Sequence, residues 1–164
     1  MWGCDILSSL LTPSTAGSMV HLEKIRIFEC KRMIEIVACV GSEAGDEVAF
    51  NNLRSLEVYN LPSLRAFHLE HCIIKFPSLD DVIVVHCPNL KIFSTEVLST
   101  PKLKYIYLAK EQMVPVDDEY DHLNYHEFTQ EQQLFDGDLN ATMKQFWEAN
   151  FDTFEKVCCH AFIQ

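Results

Sequence analysis

One apolar pattern recurs along residues 22–108: Leu22-x-x-Ile25-x-Ile27, Leu53-x-x-Leu56-x-Val58, Leu79-x-x-Val82-x-Val84 and Leu103-x-x-Ile106-x-Leu108. The last two anchors of each copy alternate with other residues at period two, the signature of a strand with one face turned inward. Four of those six-residue patterns carry Ile or Val among these anchors, which suits short strands in a shared parallel ladder. The copies start 31, 26 and 24 residues apart, close to the roughly 20–29 residues of a leucine-rich repeat. The spacing predicts one strand per repeat and all twelve anchors buried behind a single parallel sheet.

The punctuation keeps the same register. Pro62 and Pro88 both fall six residues after the middle anchor, where a fixed φ and a missing N–H help turn the chain. Met33, Leu64 and Leu90 follow at matching offsets and are expected to anchor the return side of each repeat. Leu64-x-x-Phe67-x-Leu69 also matches the template, but its distance from Leu53 is too short for a full turn, so it reads as return segment. Cys30 and Cys87, three residues past Ile27 and Val84, are expected in the core, facing the turn backbone. Residues 38–49, "ACVGSEAGDEVA", lack periodicity and read as a loop that lengthens the first repeat.

Strand alternation also names an outward face. Its columns are Lys24, Ser55, Asp81 and Tyr105; Arg26, Glu57, Ile83 and Tyr107; and Phe28, Tyr59, Val85 and Ala109. Arg26 and Glu57 are placed to pair across strands. Phe28, Tyr59, Ile83, Val85, Tyr105 and Tyr107 form an apolar and aromatic patch, the kind of patch that marks an interaction site. Phe28, Tyr59, Tyr105 and Tyr107 are expected to be exposed to solvent and to bind a protein partner. The competing expectation is that another domain covers the patch.

At the other end, Leu139, Met143, Phe146, Trp147, Phe151, Phe154 and Cys158 recur at mostly three- and four-residue spacing after Asp138, a capping residue. They predict an amphipathic helix over 139–160 that closes the open end of the stack. The chain then divides into repeats at 1–110, an acidic linker at 111–138 and a capping helix at 139–164. The fold class is α/β, a short leucine-rich-repeat solenoid with a parallel sheet on its concave face and an irregular convex side.

Charge and composition narrow the function. The net charge of −11 is concentrated in the tail, since residues 1–110 carry 11 basic against 12 acidic residues and residues 111–164 carry 2 against 12. Without a basic stripe, binding to nucleic acid lacks its main source of affinity. No apolar run is long enough for a membrane span, and the N-terminus lacks the basic start of a signal peptide, so a cytoplasmic protein is expected. Seven cysteines without a CxxC pair are read as reduced thiols with no obligatory bridge. His122 and His126 lack the internal Glu of a zinc-protease helix, and neither a G-x-S-x-G elbow nor a glycine-rich dinucleotide turn occurs. No enzyme activity and no cofactor is expected; a zinc-binding enzyme stays as a remote alternative. Asn140-Ala141-Thr142 is a glycosylation sequon whose plainer meaning is a charge-free helical turn.

The segments "HLEKIRIFECKRMIEIV", "NNLRSLEVYNLPSLRAF" and "FPSLDDVIVVHCPNLKIFS" resemble the C-terminal repeats of plant coiled-coil nucleotide-binding leucine-rich-repeat disease resistance proteins. The likeness covers residues 16–110, with an echo at "GDLNATMKQFW". It implies a recognition module of an intracellular immune receptor, with a pathogen effector, a guarded host protein or other receptor domains as partner. A second reading has the repeats mainly pack against those other domains. The chain has no GxxxxGK[ST] phosphate loop, so nucleotide binding is not implied, and it reads as a fragment, a truncated product or a partial gene model.

Overall fold

The computed structural model describes residues 1–39, 47–69, 73–95, 98–109, 133–134 and 138–148. The four predicted strands are β1 (Lys24–Phe28), β3 (Ser55–Tyr59), β5 (Asp81–Val85) and β6 (Tyr105–Ala109). They form one parallel sheet in the order of the chain. The register is the predicted one throughout: Ile25, Leu56, Val82 and Ile106 stand side by side, as do Ile27, Val58, Val84 and Leu108. Ten of the twelve anchors are buried. Leu22 and Leu108 are only partly buried against the core.

Outside this sheet two further short strands form. β2 (Glu47–Ala49) and β4 (Ile73–Lys75) pair in parallel, and Lys75 bridges on to Ser99. β2 occupies the end of the segment expected to be a loop; Val48 is buried, and residues 40–46 lie outside the described set. A third, middle ladder runs through the return segments, linking Leu11 to Val37, Glu35 to Ala66 and His68 to Ser94. These ladders supply partners for backbone groups that burial would otherwise leave unpaired.

Between the ladders the core is built on four phenylalanines. Phe50 stacks on Phe76 (ring centroids 5.4 Å apart) and Phe67 stacks on Phe93 (5.1 Å), while Phe67 meets Phe76 edge-on at 5.1 Å. The two columns interlock because stacked pairs join equivalent positions of successive repeats and edge-on pairs join the columns. Met33, Leu64 and Leu90 are buried as expected. So are Cys30 and Cys87, whose thiols donate to the Phe28 carbonyl (3.3 Å) and the Val85 carbonyl (3.4 Å). Desolvation raises both thiol pKa values, that of Cys87 to about 12. Cys39, however, is disulfide-bonded, its partner lying outside the described residues. This corrects the expectation of thiols without bridges: counting motifs does not reveal which thiols the fold brings together.

Strands β1, β3 and β5 end in the same way. Glu29, Asn60 and His86, two residues past the last anchor, have φ of 54°, 53° and 51°, the left-handed region that disfavours residues with a Cβ. The bend turns each N–H onto the next strand, donating to the carbonyls of Tyr59, Val85 and Ala109 at 2.9–3.0 Å. The first residues repeat this phase: Gly3 has φ 61°, Trp2 bridges Phe28, and the Cys4 N–H donates to the Cys30 sulfur. Helix α1 (Pro13–Ser18) follows, capped by Thr12 with Pro13 in the first turn, and buries Ala16.

At the other end, β7 (Gln133–Leu134) pairs antiparallel with β6 inside the segment expected to be linker. Helix α2 (Leu139–Glu148) lies within the predicted 139–160. The Asp138 carboxylate accepts from the N–H groups of Asn140 (2.8 Å) and Ala141 (3.4 Å), the expected cap. Leu139 and Met143, one turn apart, enter the core cluster, while Phe146 is half-buried. The side chain of Trp147, residues 149–164 with Phe154, and most of the acidic linker lie outside the described residues.

Candidate protein-recognition face

The outward face of the sheet carries the three predicted columns in register. Lys24, Ser55, Asp81 and Tyr105 are aligned across the strands, as are Arg26, Glu57, Ile83 and Tyr107, and Phe28, Tyr59, Val85 and Ala109. All eight residues proposed for partner binding therefore share one face. Their exposure differs from expectation. Tyr59 is 6% exposed, Val85 is buried, and Phe28 and Tyr107 are only half-open; Tyr105, at 39%, is the one exposed ring of the four.

The physical reason is lateral crowding. Alternation decides which face a side chain takes, whereas its exposure depends on the side chains of both neighbouring strands about 4.8 Å away. β3, between β1 and β5, is buried at all five positions, while the edge strand β1 alternates; β6, between β5 and the two-residue β7, is open at Tyr105 all the same. Tyr59 lies in register between Phe28 and Val85, and the Phe28 and Tyr59 rings stack with centroids 4.7 Å apart. Trp2 extends the stack on the far side of Phe28 at 5.2 Å. Its place was legible in principle, because Cys4 follows it at the spacing by which Cys30 follows Phe28.

The polar half of the face centres on Glu57, which is 3% exposed. Its carboxylate pairs with Arg26 at 2.5 Å, as the alternation predicted, and with Lys24. The Tyr59 hydroxyl also donates to it at 3.5 Å, and the Ser55 hydroxyl lies 3.3 Å away. A buried carboxylate is tolerated only with such partners. Ser55 donates its one proton to the nearer carboxylate, that of Asp81, at 2.7 Å. Desolvation raises the Asp81 pKa and the nearby Glu57 charge adds to the shift, against lowering by Ser55 and Lys24. The sequence reading did not foresee Lys24 or the Ser55–Asp81 contact. Together they grade the face from cationic at β1, through carboxylates at β3 and β5, to the Ile83, Tyr105 and Tyr107 side chains at β5 and β6.

This arrangement offers hydrogen bonds, charge and aromatic surface. The described residues contain no group of three or more His, Cys, Asp or Glu side chains able to hold a metal ion. No described helix is long and apolar enough to cross a membrane.

A parallel sheet with one strand per repeat, backed by in-register leucine, isoleucine and valine anchors, defines the class of leucine-rich repeats. The chain belongs to the family described as plant disease resistance protein RPS2-like, leucine-rich repeats, whose model matches residues 1–110. No curated protein and no solved structure matches the chain.

Proposed function

We propose that the chain is a leucine-rich-repeat solenoid acting as a protein-recognition module of a plant intracellular immune receptor of the coiled-coil nucleotide-binding type. It binds protein partners through its concave sheet, works in the cytoplasm and carries no catalytic activity. The plant disease resistance family supports the setting. The observation that carries the binding face is the exposed Tyr105 ring, aligned in one column with the Lys24 ammonium and the Asp81 carboxylate. Aromatic and charged groups on one rigid platform are the usual anchors of protein interfaces.

The test compares capture of partners from plant extract, identified by mass spectrometry, for the wild type, Tyr105→Ala, and Ile92→Ala on another surface. The reading expects capture to fall only in the first variant, with melting temperatures nearly unchanged. Equal capture by all three proteins refutes the concave face. A second reading, in which the repeats pack against other receptor domains, is favoured by the exposure of Trp2, Ile6, Leu7, Met19 and Val20 near the N-terminal end. Co-purification with a nucleotide-binding module, lost on Ile6→Ser with Val20→Ser, would support it.

A further inference from the structure

The middle ladder obeys a repeating hydrogen-bond rule. The carbonyl of Ile36 accepts two successive N–H groups of the preceding coil, Leu10 at 3.0 Å and Leu11 at 2.9 Å. One repeat on, the carbonyl of Phe67 accepts from Ile36 and Val37, both at 2.9 Å, and the Phe67 N–H donates in turn to the Phe93 carbonyl at 2.8 Å. By the same rule the N–H groups of Phe93 and Ser94 call for one carbonyl from a further coil.

That carbonyl is supplied by a side chain. Asn140 Oδ1 accepts from the Phe93 N–H at 2.7 Å and the Ser94 N–H at 3.1 Å, and Asn140 Nδ2 donates to the Ser94 carbonyl at 2.8 Å. A carboxamide is chemically a peptide group, planar with one acceptor and N–H donors, so it reproduces the paired acceptance made by Ile36 and Phe67. Its position is held from both sides. Asp138 fixes the start of α2, and the flanking Leu139 and Met143 side chains are buried in the core.

We propose that Asn140 is a ladder terminator: its carboxamide stands in for the peptide group of a following coil and closes the middle ladder at Phe93 and Ser94. The apolar contacts of α2 shield the core end, whereas Asn140 satisfies backbone groups that no apolar side chain can serve. The role is independent of the recognition reading. It also gives the Asn140-Ala141-Thr142 sequon a meaning within the fold, since the Thr142 hydroxyl is used as well, donating to the Asp138 carbonyl at 2.9 Å. The triplet is therefore more than the charge-free helical turn expected from sequence.

Amide hydrogen exchange on the full chain tests this, comparing wild type, Asn140→Ala and Asn140→Asp, with the Ile36 and Val37 amides as internal reference. Alanine removes acceptor and donor; aspartate keeps the acceptor and loses the donor. Asn140→Ala is expected to speed exchange at Phe93 and Ser94 by about tenfold relative to the reference, the scale of a lost hydrogen bond. Asn140→Asp is expected to keep both amides protected. Unchanged exchange at Phe93 and Ser94 in Asn140→Ala overturns the proposal, and so does equal loss of protection in the two variants. If alanine unfolds the chain, so that the reference amides exchange too, the aspartate variant decides: retained protection supports the role and lost protection overturns it.

Discussion

Replacing Phe67 with alanine probes the core where its two aromatic columns meet. The ring is 1% exposed, stacks on Phe93, and meets Phe50 and Phe76 edge-on at 5.9 and 5.1 Å. Truncating a buried phenylalanine costs about 3–5 kcal/mol through lost transfer energy and the cavity left behind. Each well-placed aromatic pair contributes about 0.5–1.5 kcal/mol of its own, so three partners put the cost at the upper end of that range. Backbone hydrogen bonds at residue 67 join Ile36, Val37 and Phe93; alanine keeps them, and the loss therefore reports the side chain. Against a domain stability of about 5–15 kcal/mol, the substitution should remove at least a third of the total. Urea denaturation monitored by far-ultraviolet circular dichroism measures it, with Ile92→Ala, at a 37% exposed position, as the control. A Phe67→Ala cost within about 1 kcal/mol of that control would show that the four rings are not one packed unit.

Three further outcomes are expected. Glu29→Asn should stabilise the chain by about 0.5–1 kcal/mol in the same assay, because Glu29 holds a left-handed φ of 54° that asparagine tolerates better, as Asn60 does in the next repeat; a neutral or destabilised variant would mean that the turn carries no strain. Asp81 has its pKa raised chiefly by desolvation, so the folded state binds its proton more tightly than the unfolded chain and this group's contribution falls as pH rises from the ordinary carboxylate value toward the raised one. Asp81→Asn should therefore exceed the wild type in stability at pH 7, with the gain shrinking toward pH 4; a gain that stays constant or grows on acidification contradicts the sign. With its thiol pushed up to about 12, Cys87 should resist alkylation by iodoacetamide at pH 8 in the folded protein while the half-buried Cys4 reacts; equal labelling of the two in peptide mapping would refute this.

Several features were legible because they depend on local periodicity. The four strands, their parallel register and the Arg26–Glu57 pair follow from alternation and repeat phase, which act through the same covalent geometry wherever they occur. The start of α2 follows from one capping residue and a three-to-four spacing. Burial on the outward face was less accessible, since Tyr59 is closed off by residues 31 and 26 positions away in the chain, Phe28 and Val85. The β2–β4 ladder was hidden for a related reason: a three-residue strand carries too little periodicity to announce itself, and only stacking gives it a partner.

The sequence alone determined the repeat, the inward anchors and the face on which each strand residue lies, because a period of two and a recurring leucine template leave one way to bury the apolar set. The tertiary structure decided how open that face is, which thiol is bridged, how the short strands β2 and β4 pair and what the side chains of α2 meet. Those outcomes depend on groups brought together from distant repeats. Asn140 shows the difference most plainly: within its own helix it is an ordinary polar residue, and only the N–H groups of Phe93 and Ser94, more than forty residues earlier, give its carboxamide a peptide's work.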